Sequence, residues 1–158
     1  VVVIEAFQML CPGCGVHGLP QAAEIARVFA DDDVSVIGLH SVFEHHAAMQ
    51  PHALEAFLHE YRIGFPVAVD RPADAGDGPL PKTMRAYGLQ GTPSLIIIDR
   101  QGRLRARHFG QAHDMRVARE ITGILSESAD YSEYEPSASV IKTHLESGSV
   151  CTPDGCSI

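Results

Sequence analysis

The chain has 158 residues, a formal net charge of −8, 45% hydrophobic residues, four cysteines and no Trp. That length suits one domain with some additional structure, and the hydrophobic share supports a buried core without disulfide staples. An acidic chain with no basic run offers nucleic acid little to bind, and no apolar stretch approaches the ~18–20 residues of a membrane span.

Val1 to Phe7 is a β-branched, apolar run, predicted as a strand buried on both faces. The chain opens inside this run, so its N-terminus reads as processed or trimmed, which leaves the cytoplasm and the bacterial periplasm both open. The turn Cys11-Pro12-Gly13-Cys14 follows at once. A helical pattern runs from Leu19 to Phe29, with apolar residues at Leu19, Ala22, Ala23, Ala26 and Phe29. Pro12 fits a first helical position, where a missing N–H costs nothing. Pro20 lies inside the pattern behind Gly13, Gly15 and Gly18, which predicts a helix that is kinked or starts late.

Val34 to His40 reads as a second strand, Pro51 to Tyr61 as a helix and Phe65 to Val69 as a short third strand. Asp70 to Pro81 is rich in Asp, Gly and Pro and reads as a loop. A helix near Lys82–Tyr87 leads to Gly91-Thr92-Pro93. Ser94 to Asp99 is the clearest strand, and Arg100-Gln101-Gly102 turns it into a hairpin with Arg103–Phe109. Asp114 to Leu125 is an amphipathic helix. This order predicts an α/β domain, residues 1–126, with a mixed central sheet and helices on both faces. Residues 127–158 read as an acidic extension with a weak helical stretch, Ala138–Leu145, and a second cysteine pair.

Two close pairs, Cys11/Cys14 and Cys151/Cys156, do not look like the framework of a disulfide-stapled secreted domain. Two cysteines separated by two residues at a helix start can close a disulfide. The first sits where unpaired N–H groups and the helix dipole stabilise a thiolate, lowering its pKa from about 8.5 toward about 7. In that reading Cys11 attacks and Cys14 resolves. Half a zinc site, or two inert buried cysteines, has the same spacing, and the flanking strand and helix favour redox chemistry.

The strand Val1–Phe7, Cys-Pro-Gly-Cys, Gly-Thr-Pro-Ser-Leu-Ile-Ile-Ile-Asp and Gln-Gly-Arg, in that order, resemble the thioredoxin-like redoxins. The branch is the TlpA/ResA group near the AhpC/TSA peroxiredoxins, and the likeness covers about residues 1–125. It implies the thioredoxin-like fold with an inserted helix and strand near 51–69, and a thiol–disulfide oxidoreductase that uses Cys11 and Cys14. Its partners would be a protein or small disulfide or dithiol and an electron donor or acceptor, with no cofactor and no resident metal. The resemblance also implies a cis Pro93 facing the cysteines, with Pro12, Gly13, Thr92 and Pro93 meeting an extended substrate. Glu5 matches the family's buried acid, six residues before the first cysteine, as a proton acceptor for Cys14. A salt-bridged or edge-exposed Glu5 is the alternative. The usual Trp before the first cysteine is Leu10 here, so the substrate-facing surface must differ.

Two other functions compete. Peroxiredoxin-type peroxidase chemistry resembles P-x-x-x-T-x-x-C, but Gln8 holds the Thr position and no Pro precedes it. A metal-binding or metal-delivery module would draw on His45, His46 and His52, or on His52, Glu55 and His59 along one helix face. A solvated polar face explains the same residues. Arg103, Arg105 and Arg107 alternate and are expected to line a solvent face. Cys151-Thr152-Pro153-Asp154-Gly155-Cys156 has a Pro-Asp-Gly turn that folds the two cysteines together, as a possible second redox pair, a local clip or a metal site.

Overall fold

The computed structural model describes residues 1–127, together with 151–152 and 155–156. Five strands form one sheet: β1 (Val2–Phe7), β2 (Ser35–His40), β3 (Val67–Val69), β4 (Ser94–Ile98) and β5 (Leu104–Phe109). Their order is β3-β2-β1-β4-β5. The β1–β2 and β2–β3 pairs are parallel, whereas β4 runs antiparallel to both β1 and β5. The expected mixed sheet is therefore present, and β1 lies at its centre.

Strands β1 and β4 are buried on both sides because their runs of Val, Ile and Leu have no polar alternation. One face carries Val3, Phe7, Val36, Leu95 and Ile97, packed against α1 (Leu19–Val28), α2 (Pro51–Glu60) and α4 (Asp114–Ser126). The other face carries Ala6, Ile96 and Ile98 beneath Met84 of the short α3 (Lys82–Ala86) and Leu89. Helices thus cover both faces, and the inserted α2 and β3 fall within the expected stretch.

Boundaries shift by a residue or two from the sequence pattern, except at the first helix. There the chain turns helical at Pro12, widens into a π-helical turn at Cys14–Gly18 and settles into α1 at Leu19. Pro20 stands in the first turn of α1, directly after the wide turn, so the α-helix starts late, one of the two outcomes its position predicts.

The loop before α3 is anchored by a contact that sequence reading did not identify. Asp70 is buried and accepts hydrogen bonds from the Thr83 and Met84 N–H groups, at 3.0 and 3.2 Å, and from the Ser41 hydroxyl at 3.1 Å. It caps α3 from thirteen residues away. Arg103, just before β5, and Arg105 and Arg107 on it are exposed, as expected, and their guanidinium groups also tie the fold together. Arg103 and Arg105 donate to buried Asp99, Arg105 also pairs with Glu127, and Arg107 donates to the Tyr87 and Gly88 carbonyls.

The chain divides into two compact units, Val1–Ser128 and Ala129–Ile158. In the second, β6 (Cys151–Thr152) pairs antiparallel with β7 (Gly155–Cys156), and Cys151 stands opposite Cys156. The expected helical stretch Ala138–Leu145 lies outside the described residues.

Candidate active site around the Cys11 and Cys14 disulfide

The site forms where β1 ends. Phe7 closes the strand, the Cys11 N–H donates to the Gln8 carbonyl at 3.3 Å, and the turn delivers Cys11 to the position just before Pro12, where the helical run begins. Cys11 and Cys14 are joined by a disulfide, with their Cα atoms 5.2 Å apart. Cys11 is partly exposed, whereas Cys14, at the start of the π-helical turn, is fully buried in the core. The Cys14 N–H donates to Cys11 Sγ at 3.1 Å and also reaches the Cys11 carbonyl at 3.1 Å. A backbone donor aimed at Sγ from inside a helix start stabilises negative charge there.

The Gly91–Pro93 turn faces this pair. The Thr92–Pro93 bond is cis, and the Thr92 carbonyl oxygen lies 3.5 Å from Cys11 Sγ. Ser94 Oγ donates to the Gly91 carbonyl at 2.7 Å, and the Gly110 N–H donates to the Pro93 carbonyl at 2.9 Å. Those bonds hold the turn, so Thr92 meets the disulfide at a fixed height. Pro93 is buried and packs close to Gly13, where an added Cβ would stand 3.3 Å from the ring Cδ. Pro12 is exposed at the lip.

Exposed apolar side chains stand on the segments around the disulfide: Leu10 at 57%, Val16 at 66% and Phe109 at 59% exposure. Leu10 keeps apolar surface beside the first cysteine, where the family resemblance expects an aromatic ring. Phe109 stands against Gly91, where an added Cβ would meet the ring at 3.0 Å.

Glu5 lies behind the site, on the middle of β1. It is 1% exposed, its Oε1 has no hydrogen-bond partner, and burial pushes the carboxyl pKa up to about 8. It is neither at an edge nor in a salt bridge. A carboxyl with no cation to hold its charge stays mostly protonated at neutral pH, close to the point where it exchanges a proton readily.

The other sequence candidates fall elsewhere. Gln8 is buried and committed to the loop after β2, accepting from the Phe43 N–H at 3.2 Å and donating to Glu44 at 3.4 Å. It clamps that loop to the catalytic turn. His45, His46, His52, Glu55 and His59 are all exposed, and no three His, Cys, Asp or Glu groups come together as a metal site among the described residues. Sequence reading missed His40, which is buried at the end of β2 against Phe7, its ring 5.4 Å away and its Nε2 without a partner. Burial lowers its pKa.

A disulfide at a helix start, capped by a backbone donor and faced by a cis-proline turn, defines a thiol–disulfide exchange centre. No family model and no curated protein matches the chain. Solved structures do. A thioredoxin-like superfamily protein, SPOA0173, is 57% identical, with 80% of each chain covered and a TM-score of 0.76. A thiol-disulfide isomerase from Corynebacterium glutamicum is 52% identical over 80% of this chain and 81% of its own, also with a TM-score of 0.76. StoA from Bacillus subtilis shares the fold at 16% identity, over 76% of this chain and 81% of its own, with a TM-score of 0.58. The chain belongs to the thioredoxin-like superfamily, and it is a thiol–disulfide oxidoreductase with its redox pair at Cys11 and Cys14.

Proposed function

We propose that the protein exchanges disulfides with protein substrates, with Cys11 as the attacking thiol, Cys14 as the resolving thiol and Glu5 as the proton acceptor for Cys14. The observation that carries this reading is the asymmetry of the pair: Cys11 is reachable and receives the Cys14 N–H, while Cys14 is sealed in the core. From the dithiol form, the Cys11 thiolate attacks a substrate disulfide, forms a mixed disulfide and expels one substrate thiolate. Glu5 accepts the Cys14 proton in its ionised form, the minor state at neutral pH, and Cys14 attacks Cys11 Sγ. The Cys11–Cys14 disulfide re-forms and the second substrate thiol leaves, so two electrons pass to the substrate. Run backwards, the same steps oxidise a dithiol.

An extended polypeptide suits the rim. The Thr92 carbonyl faces the sulfur, while Leu10 and Phe109 offer apolar contact on neighbouring segments. The similar protein described as an isomerase supports a protein disulfide as the substrate class. Cys151 and Cys156, opposite each other in their hairpin, fit a second dithiol that exchanges with this centre.

Turnover of a disulfide-scrambled protein, a small disulfide and hydrogen peroxide, each with wild type and Cys11→Ser, tests the proposal. Cys11-dependent turnover of the scrambled protein well above that of peroxide is expected. Preferred turnover of peroxide would move the function to the peroxidase alternative.

A further inference from the structure

Backbone conformation does not require Gly18 to be glycine. Its φ of −60° and ψ of −57° are right-handed helical values open to every L-residue. Glycine inside a helix costs about 1 kcal/mol relative to alanine. The surroundings supply the reason. A Cβ on Gly18 would overlap Glu5 Oε1, stand 3.1 Å from Glu5 Cδ and stand 2.9 Å from Pro93 Cβ. Gly15, in the same turn, has nothing within 4 Å of its Cβ position.

The wide turn creates this convergence. Residues five apart in an ideal α-helix point about 140° away from each other. The π-helical turn Cys14–Gly18, closed by the Leu19 N–H on the Cys14 carbonyl, adds the slack that brings Gly18 round to the proline that Gly13 also meets. Gly13 lies against the Cδ edge of the Pro93 ring and Gly18 against the Cβ edge. Glu5 Oε1 has no hydrogen bond, so packing decides where that oxygen sits.

We propose that Gly18 is a positioning residue for the redox centre. Its missing side chain is the clearance that holds the Glu5 carboxyl beneath the π-helical turn and against Pro93. The size of residue 18 therefore sets how well Glu5 takes the proton of Cys14. This rests on the assignment of Glu5 as proton acceptor. The other titratable groups on that sheet face are His40 of β2, opposite Phe7, and His108 of β5, opposite the Leu95 that itself pairs with Glu5. Glu120 of α4 already engages His108 at 2.7 Å.

The test follows the two thiolates released when the reduced full chain, with Cys151→Ser/Cys156→Ser as the background of every variant so that only Cys11 and Cys14 react, meets excess dithiobis-nitrobenzoate in stopped flow. Cys11 attack releases the first and Cys14 resolution the second. General acid–base assistance is worth at least roughly a hundredfold, so partial misplacement of Glu5 in Gly18→Ala is expected to slow the second release about tenfold or more. The pH profile of that release should shift, the first release should stay within about twofold, and Gly15→Ala should match wild type in both. Adding Glu5→Asp, which withdraws the carboxyl by one methylene, should recover part of the loss, or the fold itself if Gly18→Ala is unfolded. Normal second release in Gly18→Ala, with Glu5→Gln slow, would overturn the role of Gly18 and leave that of Glu5. Normal second release in Glu5→Gln would remove both. Loss in Gly18→Ala that Glu5→Asp does not relieve would also overturn the proposal.

Discussion

The Cys14 N–H donates to Cys11 Sγ across 3.1 Å, so the buried member of the pair prepares the exposed one. One backbone bond, set by the helical run that begins at Pro12, separates the roles of two cysteines that sequence spacing alone leaves alike. Cys11 should alkylate before Cys14 in the reduced protein, with an apparent pKa below about 8. Iodoacetamide labelling against pH, read by peptide mass, checks the order. Faster labelling of Cys14 would reverse the assigned roles.

Glu5 should couple stability to pH. Its ordinary pKa of 4.5 becomes about 8 in the folded chain, so between those values the folded state holds a proton that the unfolded state has released. Stability then falls as pH rises through this window, by on the order of 5 kcal/mol when complete. The oxidised protein isolates the effect, since its paired Cys11 and Cys14 do not titrate. Denaturant unfolding of Glu5→Gln should gain on wild type steadily from pH 5 to 8. A constant difference across that range would show that Glu5 ionises as freely in the fold as outside it.

Gly38 of β2 should tolerate no side chain. An added Cβ would stand 2.9 Å from Val67 Cγ2, 3.1 Å from Phe65 Cε2 and 3.3 Å from Phe7 Cε1, between β1 and β3. Gly38→Ala is expected to cost about 1–3 kcal/mol by overpacking. Gly64→Ala, with nothing within 4 Å, serves as the control. Equal unfolding midpoints for the two variants would contradict this account of the packing.

These sites differ in how far sequence could reveal them. The strand, the Cys-Pro-Gly-Cys turn and the helix are local patterns, and β1 and β4 declare themselves because doubly buried strands need unbroken apolar runs. The burial of Glu5 follows from its place in such a run. The π-helical turn does not: Gly15 and Gly18 look alike in sequence, and only the approach of Glu5 and Pro93 separates them. Asp70 capping α3 and Arg105 bridging Asp99 to Glu127 are likewise pairings across the fold, with no periodic signal. The histidines show the converse: His45, His46, His52 and His59 cluster in sequence, yet each is exposed and no metal-ligand group of three forms among the described residues.

Cys151 and Cys156 should close a disulfide in the oxidised chain. Directly opposed antiparallel residues have Cα atoms about 4.5–5.5 Å apart, within the roughly 4.4–6.8 Å that a disulfide spans. Mass spectrometry should find that bridge beside Cys11–Cys14. If the hairpin also relays electrons, Cys151→Ser/Cys156→Ser should slow turnover with a dithiol reductant, because tethering supplies the partner at millimolar effective concentration. Unchanged turnover, with no trapped link between Cys11 and the hairpin, would confine the pair to a local clip.

The division of labour between Cys11 and Cys14 is tested most directly by trapping. Reduced Cys14→Ser, mixed with a disulfide-scrambled protein, should accumulate a mixed disulfide at Cys11 that added dithiothreitol releases. Cys11→Ser should accumulate none at Cys14, because Cys14 is fully buried. An adduct on Cys14 in the Cys11→Ser variant, with none on Cys11 in its counterpart, would contradict the assignment.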